Sequence, residues 1–194
     1  MKLFPKSIIL ILLIALLLRI FTSLWSFNFR DNTDVLRWRD WGRITHLYGL
    51  PDSYKPDHIE FGTLPNNMPP GTLYVVSAMY EFNVVAAKII LRVIQQEPGK
   101  VQWINSQLLN FNLRLPSIIA DLVIGFIIFT LVRKKTSDKM AMVASSLFLF
   151  NPSVFYNSSF WGQMDSLNNL LFLLALFTLY KQKVELVFLL FSLS

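Results

Sequence analysis

The sequence predicts an all-α protein that crosses a membrane several times, and three observations carry that prediction. Hydrophobic residues make up 54% of the 194 positions and charged residues 15%, with Phe alone occurring 17 times. A soluble domain carries about 25% charged residues, far more than this chain. The apolar residues are gathered into runs, and a helix needs about 20 such residues to cross a hydrocarbon core. The basic residues stand beside those runs in short clusters, as they do in the cytoplasmic loops of membrane proteins.

Composition also removes several functions. There is no Cys, which excludes disulfides, thiolate metal sites and thiol nucleophiles. His46 and His58 are the only histidines, too few for a histidine-rich metal centre. The net charge of +6 lies next to the spans rather than along one stripe, so the expected partner is the lipid bilayer and not nucleic acid.

The first span is expected over about residues 7–27. Its apolar core is too long for a signal peptide, and no small-residue cleavage pattern follows it. Trp25 suits the interface. Arg19 lies in the outer part of this helix, where it either snorkels to the interface or meets an anionic group inside the bundle. Further spans are expected over 114–133, 139–157 and 165–180, with a last one starting at 184 and cut off at 194, so the chain reads as the N-terminal part of one larger membrane domain.

The basic residues set the orientation. Lys2 and Lys6 precede the first span, Arg133, Lys134, Lys135 and Lys139 separate the second and third, and Lys181 and Lys183 follow the fourth. Placing all three clusters in the cytoplasm makes residues 28–113 one large external loop and 157–165 a short one. Within the large loop two amphipathic helices are expected, over about 35–48 and 72–95. Asp34 suits the N-cap of the first, and its Trp38 and Trp41 suit a juxtamembrane position. In the second, Ser77, Glu81, Lys88, Arg92 and Gln95 fall within about 60° of one face at 100° per residue. Leu73, Val76, Tyr80, Val84, Ala87, Leu91 and Ile94 form the apolar side. That pattern predicts a helix lying at the membrane surface, although its length also permits a span. Pro51 and the PNNMPPG stretch predict turns or extended chain.

Some polar residues are costly where they stand. Asp121 interrupts an apolar run, where a carboxylate must be paired or face a polar cavity. It is read either as an interhelical bond or as a site residue. Arg114 lies on nearly the same face, but about 10 Å away along the helix axis, too far to pair with it directly. Asp165 is read either as a plain N-cap or as a site residue. The tract NPSVFYNSSFWGQMDS crowds Asn151, Asn157, Gln163, Asp165 and Asn168 around the ends of two apolar helices, more amides than a turn needs. Asn157-Ser158-Ser159 also fits the glycosylation sequon.

Several of these stretches resemble a known family. RLPSIIADL at 114–122, FNP at 150–152, WGQMDS at 161–166, Asp34 seven residues before Trp41-Gly42, and MPPGTLY at 68–74 occur in the same order as their counterparts in GT-C glycosyltransferases related to the GPI mannosyltransferases. The WGQMDS stretch is the most specific match. The resemblance implies a GT-C-like membrane fold whose large first external loop carries two juxtamembrane helices. It implies inverting transfer of a sugar, mannose by the nearest likeness, from a polyprenyl-phosphate donor to a glycan, lipid or protein acceptor on the non-cytoplasmic face. Asp34 is then the general base, and Arg114, Asp121, Trp161, Gln163 and Asp165 are binding residues, with Arg114 or Arg19 neutralising the donor phosphate. A divalent cation is the one cofactor left open, with Asp31 and Asp165 as its candidate ligands. The chain departs from the family at Asn67-Met68, where an aspartate often precedes the prolines. The other readings are a non-catalytic membrane subunit and a transporter fragment. A prokaryotic plasma membrane is the expected location, ahead of the ER membrane.

Overall fold

The computed structural model describes residues 5–26, 33–60, 64–94 and 98–193. Among them the regular structure is helical: α1 (Lys6–Trp25), α2 (Thr33–Tyr48), α3 (Pro70–Ile94), α4 (Pro98–Asn112), α5 (Leu115–Lys135), α6 (Asp138–Leu149), α7 (Pro152–Phe155), α8 (Asp165–Tyr180) and α9 (Val184–Leu193). A 3-10 turn, Leu50–Tyr54, follows α2, and a π-helical turn, Tyr156–Trp161, follows α7. By length and apolar composition three stretches among the described residues suffice to cross a membrane: Lys6–Trp25, Pro70–Ile90 and Asn105–Lys135. The protein is thus an integral, multi-pass membrane protein.

Helix α5 is the axis of the bundle. The chain from 138 to 164 runs antiparallel to it over its whole length, and side-chain contacts fix the register. Arg133 pairs with Asp138 at 2.7 Å. Phe129 and Ala141 share a buried cluster with Ile8. Ser145 Oγ donates to the Gly125 carbonyl at 2.8 Å, Ser158 Oγ to Asp121 at 2.6 Å, and Ser117 Oγ to the Gln163 carbonyl at 2.6 Å. Gly125 lets the two segments approach: a Cβ there would come within 2.6 Å of Leu149.

Over 139–157, where one span is expected, the chain forms an interrupted helix. The break falls at Phe150-Asn151-Pro152, where proline cannot continue the α-helical ladder. Asn151 Oδ1 restarts it by accepting from the Ser153 N–H at 3.0 Å. The interruption is followed by the π turn, a form that widens the backbone and is concentrated at functional sites.

Helix α1 runs alongside, with Ile8 near Phe129, Arg19 against Asp121, and Thr22 Oγ1 2.7 Å from Ser159 Oγ. Helix α8 packs on α5 with Phe177 near Lys134. These contacts bring the start of α1, the α5–α6 connection and the end of α8 to one end of the bundle. Lys6, the group Arg133, Lys134, Lys135 and Lys139, and the pair Lys181 and Lys183 lie at or next to that end.

Helices α2, α3 and α4 pack together at the other end around Val35, Trp38, Trp41, Leu73, Val76, Leu109, Leu113 and Met164. Trp38 and Trp41 are 4% and 1% exposed, so they are core residues rather than interfacial anchors. Their rings meet edge to face, 5.2 Å between centroids. Helix α4 has no counterpart in the sequence expectations. It is tied to its neighbours by amides: Asn112 Nδ2 donates to Asn83 at 3.0 Å, and Asn83 Nδ2 to Asn105 at 2.9 Å. Arg39 reaches Ser106 Oγ at 3.0 Å, and burial holds its guanidinium below the ordinary arginine range.

Candidate functional site

The site forms where α2 meets the turn between the π segment and α8. Asp34, in the first turn of α2, accepts through Oδ2 from Trp161 Nε1 at 2.6 Å and from Gln163 Nε2 at 2.8 Å. Arg37, one turn along the same helix, approaches Oδ1 at 3.3 Å. Two neutral donors and one cation around the carboxylate fix its direction. The Asp34 side chain keeps 17% of its surface exposed, so the carboxylate is held yet reachable.

Gly162 makes that arrangement possible. It lies in the left-handed region at φ +82°, and a Cβ there would stand 2.7 Å from Val35 Cγ2 and 3.2 Å from the Arg114 side chain. The tight turn places Trp161 and Gln163 on the same carboxylate. Trp38 Nε1 donates to the Gly162 carbonyl at 3.0 Å and ties the turn to α2. Arg114, almost wholly buried, braces it from α5 by donating to the Phe160 carbonyl at 3.1 Å, and also reaches the Asn110 carbonyl at 2.7 Å.

A cavity of about 100 Å³ opens beside Asp34. Gln163, Asp165 and Asn168 line one side, and Met68 and Thr72, from the MPPGTLY stretch, line the other. The Thr72 hydroxyl and the Asn168 carbonyl oxygen are buried without a hydrogen-bond partner. Asp165 is not the N-cap of α8. It stands at the first helical position, Met164 precedes it, and its carboxylate takes the Asn157 Nδ2 donor at 2.9 Å. The sequon is tied into the fold as well, because Asn157 is engaged by Asp165 and both serines are buried.

Asp121 is elsewhere. It is fully buried and paired with the equally buried Arg19 at 2.9 Å, and it also accepts from Ser158 Oγ. Of the two alternatives for Arg19, the structure has the anionic partner inside the bundle. Direct pairing of Asp121 with Arg114 does not occur, as the spacing requires. The pair anchors the π turn, three residues before Trp161. Of the candidate residues, then, Asp34, Trp161, Gln163 and Asp165 converge, Arg114 braces the turn from behind, and Asp121 supports it from within the bundle. Asp31 lies outside the described residues. Among the described residues no group of three or more His, Asp or Glu is placed to hold a metal ion.

No family model, curated protein or solved structure matches this chain.

Proposed function

We propose that this chain carries the acceptor-activating face of a membrane glycosyltransferase that takes a sugar, mannose by resemblance, from a polyprenyl-phosphate donor on the non-cytoplasmic side. One observation supports the reading above all. Three of the stretches that carry the resemblance to GT-C enzymes are scattered over more than 130 positions of sequence, yet they meet at one carboxylate: Asp34 accepts from Trp161 and Gln163, and Met68 and Thr72 face the same cavity. Nothing in the packing of an inert bundle requires an exposed aspartate to be held by two donors at the end opposite the basic clusters.

The chemistry follows from that geometry. An acceptor hydroxyl entering the cavity gives its proton to the Asp34 carboxylate as its oxygen attacks the anomeric carbon. The bond from that carbon to the phosphate oxygen breaks, configuration inverts, and polyprenyl phosphate leaves. Trp161 and Gln163 hold the base in position so that little reorganisation accompanies the step. The α2–α3 layer is read as lying on the external membrane surface, where a lipid-borne donor and a second substrate can both reach Asp34.

The test uses the full-length protein in its membrane. Asp34→Asn is expected to abolish polyprenyl-phosphate-dependent sugar transfer while leaving the protein folded, and Asp34→Glu to retain part of it. Unchanged transfer in Asp34→Asn removes this residue as the base. Absence of lipid-dependent transfer in the natural protein favours the subunit or transporter reading.

A further inference from the structure

An open groove of about 850 Å³ follows the outer face of α6. Its walls are apolar: Ile11 comes from α1, and Val143, Leu147 and Phe150 recur along α6. Lys139 stands at one end, at the basic end of the bundle, and Pro152 closes the other at the helix break. Val143 and Leu147 are 45% and 72% exposed, so their side chains have no cover among the described residues. Asp138 is taken by Arg133, which leaves Lys139 with no carboxylate partner among the described residues.

The groove has the dimensions of one leaflet. Positions 139 to 150 span about 16 Å at 1.5 Å per residue. Half of a hydrocarbon core of about 30 Å is about 15 Å. A groove meant for another transmembrane helix would run the full height of the bundle, whereas this one stops at Pro152. The same arrangement recurs on the other side of α5. A second apolar crevice of about 250 Å³ between α5 and α8 is lined by Phe126, Leu173 and Phe177 and ends on Lys134, at the same basic end.

We infer that the α6 groove binds one anionic phospholipid from the leaflet at the basic end, its acyl chain along Val143 and Leu147 and its phosphate on Lys139. The charge selects the headgroup, because a phosphate monoanion gains from the lysine and its basic neighbours while a zwitterionic headgroup carries its own cation. The depth matches acyl chains that reach the bilayer midplane. This inference stands on the groove alone and does not depend on the sugar-transfer reading.

These 194 residues contain no Cys, and with any cysteine elsewhere in the full-length protein replaced by Ser a single label reports on the groove. Val143→Cys in the full-length protein is labelled with a small fluorophore and placed in phosphatidylcholine nanodiscs. Bromine-tailed phosphatidylglycerol or bromine-tailed phosphatidylcholine is then added in increasing mole fraction. The glycerol lipid is expected to quench at a mole fraction about fivefold lower, and Lys139→Gln to remove most of that difference. Native mass spectrometry of the unlabelled protein is expected to retain phosphatidylglycerol in preference to phosphatidylcholine, and Lys139→Gln to lose the preference. Equal quenching by the two lipids overturns the inference, since the groove then holds ordinary bulk lipid. So does a preference that survives Lys139→Gln, and so does absence of quenching by either lipid, which means that protein fills the groove.

Discussion

The indole N–H of Trp161 donates to the carboxylate of Asp34 at 2.6 Å across 127 positions of sequence. A tryptophan at a membrane surface usually gives its N–H to water or headgroups. Here the donor is spent on a charged group, and Gln163 adds a second donor to the same oxygen. A hydrogen bond to a charged group contributes about 1.5–3 kcal/mol. Trp161→Phe keeps the ring and removes the donor. It is expected to slow sugar transfer by about 10- to 100-fold, with a change in melting temperature of a few degrees at most. Initial rates in membranes at saturating donor, alongside thermal unfolding in detergent, check both parts.

Gly162 gives a sharper structural prediction. Its positive φ and the 2.7 Å approach of its virtual Cβ to Val35 leave no room for a side chain. Gly162→Ala is expected to cost about 1–3 kcal/mol in backbone strain, with the clash added. The turn can relieve this only by moving Trp161 or Gln163 off Asp34. The indole N–H resonance of Trp161, observed by nitrogen-15 NMR, is expected to move upfield in Gly162→Ala relative to the natural protein, as loss of its bond to Asp34 requires.

The buried pair of Arg19 and Asp121 stabilises the same turn from inside the bundle. Removing one member of a fully buried ion pair typically costs about 3–5 kcal/mol, because the remaining charge is stranded. Replacing both with apolar residues is much cheaper. Asp121→Asn is therefore expected to lower the melting temperature strongly, and Arg19→Met with Asp121→Leu to recover most of it. The double variant still lacks the Ser158 contact to Asp121, so its sugar transfer is expected to stay below that of the natural protein. Unfolding and transfer, measured on the same preparations, separate the two effects.

Much of this arrangement was legible in the residues themselves. The runs in α1, α5 and α8 are apolar over most of their surface and flanked by lysine and arginine, so their existence and relative orientation follow from solvation alone. Arg19 and Asp121 were each visible as costly charges, but periodicity within one helix says nothing about which partner another helix supplies. Trp38 and Trp41 were misjudged for the same reason. A tryptophan in a short polar helix suits either an interface or a core, and only the packing of α3 and α4 on α2 decides. Helix α4 is hard to read from sequence because amides interleave its apolar residues. The break at Asn151-Pro152 was signalled by proline, whereas the π turn after it depends on Ser158 and Ser159 bonding to α5 and α1. At the site, the motifs were found through resemblance, and the cavity residue Asn168 was noted only as one amide among several.

The position of α3 relative to the bilayer yields the last prediction. Its outward surface divides into two stripes. Tyr74, Phe82, Val85 and Ile89 are exposed and apolar, while Glu81, Lys88 and Arg92 are exposed and charged on the adjoining face. The buried face, with Leu73, Val76 and Ala87, packs inward. A span over Pro70–Ile90 would carry Glu81 and Lys88 through lipid, at a cost of about 2.5 kcal/mol or more for a charge near the centre. A helix lying at the surface turns one stripe to lipid and the other to water. Its neighbour α2 supports the second arrangement. The two helices run side by side, with His46 of α2 bonded to Glu81, and α2 carries Arg37, Arg39, Asp40 and Arg43. A cysteine at Glu81 is therefore expected to react with an impermeant thiol reagent from the external side, while one at Phe82, a neighbour on the lipid stripe, is protected. The absence of cysteines from these 194 residues keeps each label unambiguous once any cysteine elsewhere is replaced by Ser. Protection of position 81 from both sides would mean that α3 crosses the membrane, and the external layer around Asp34 would then have to be redrawn.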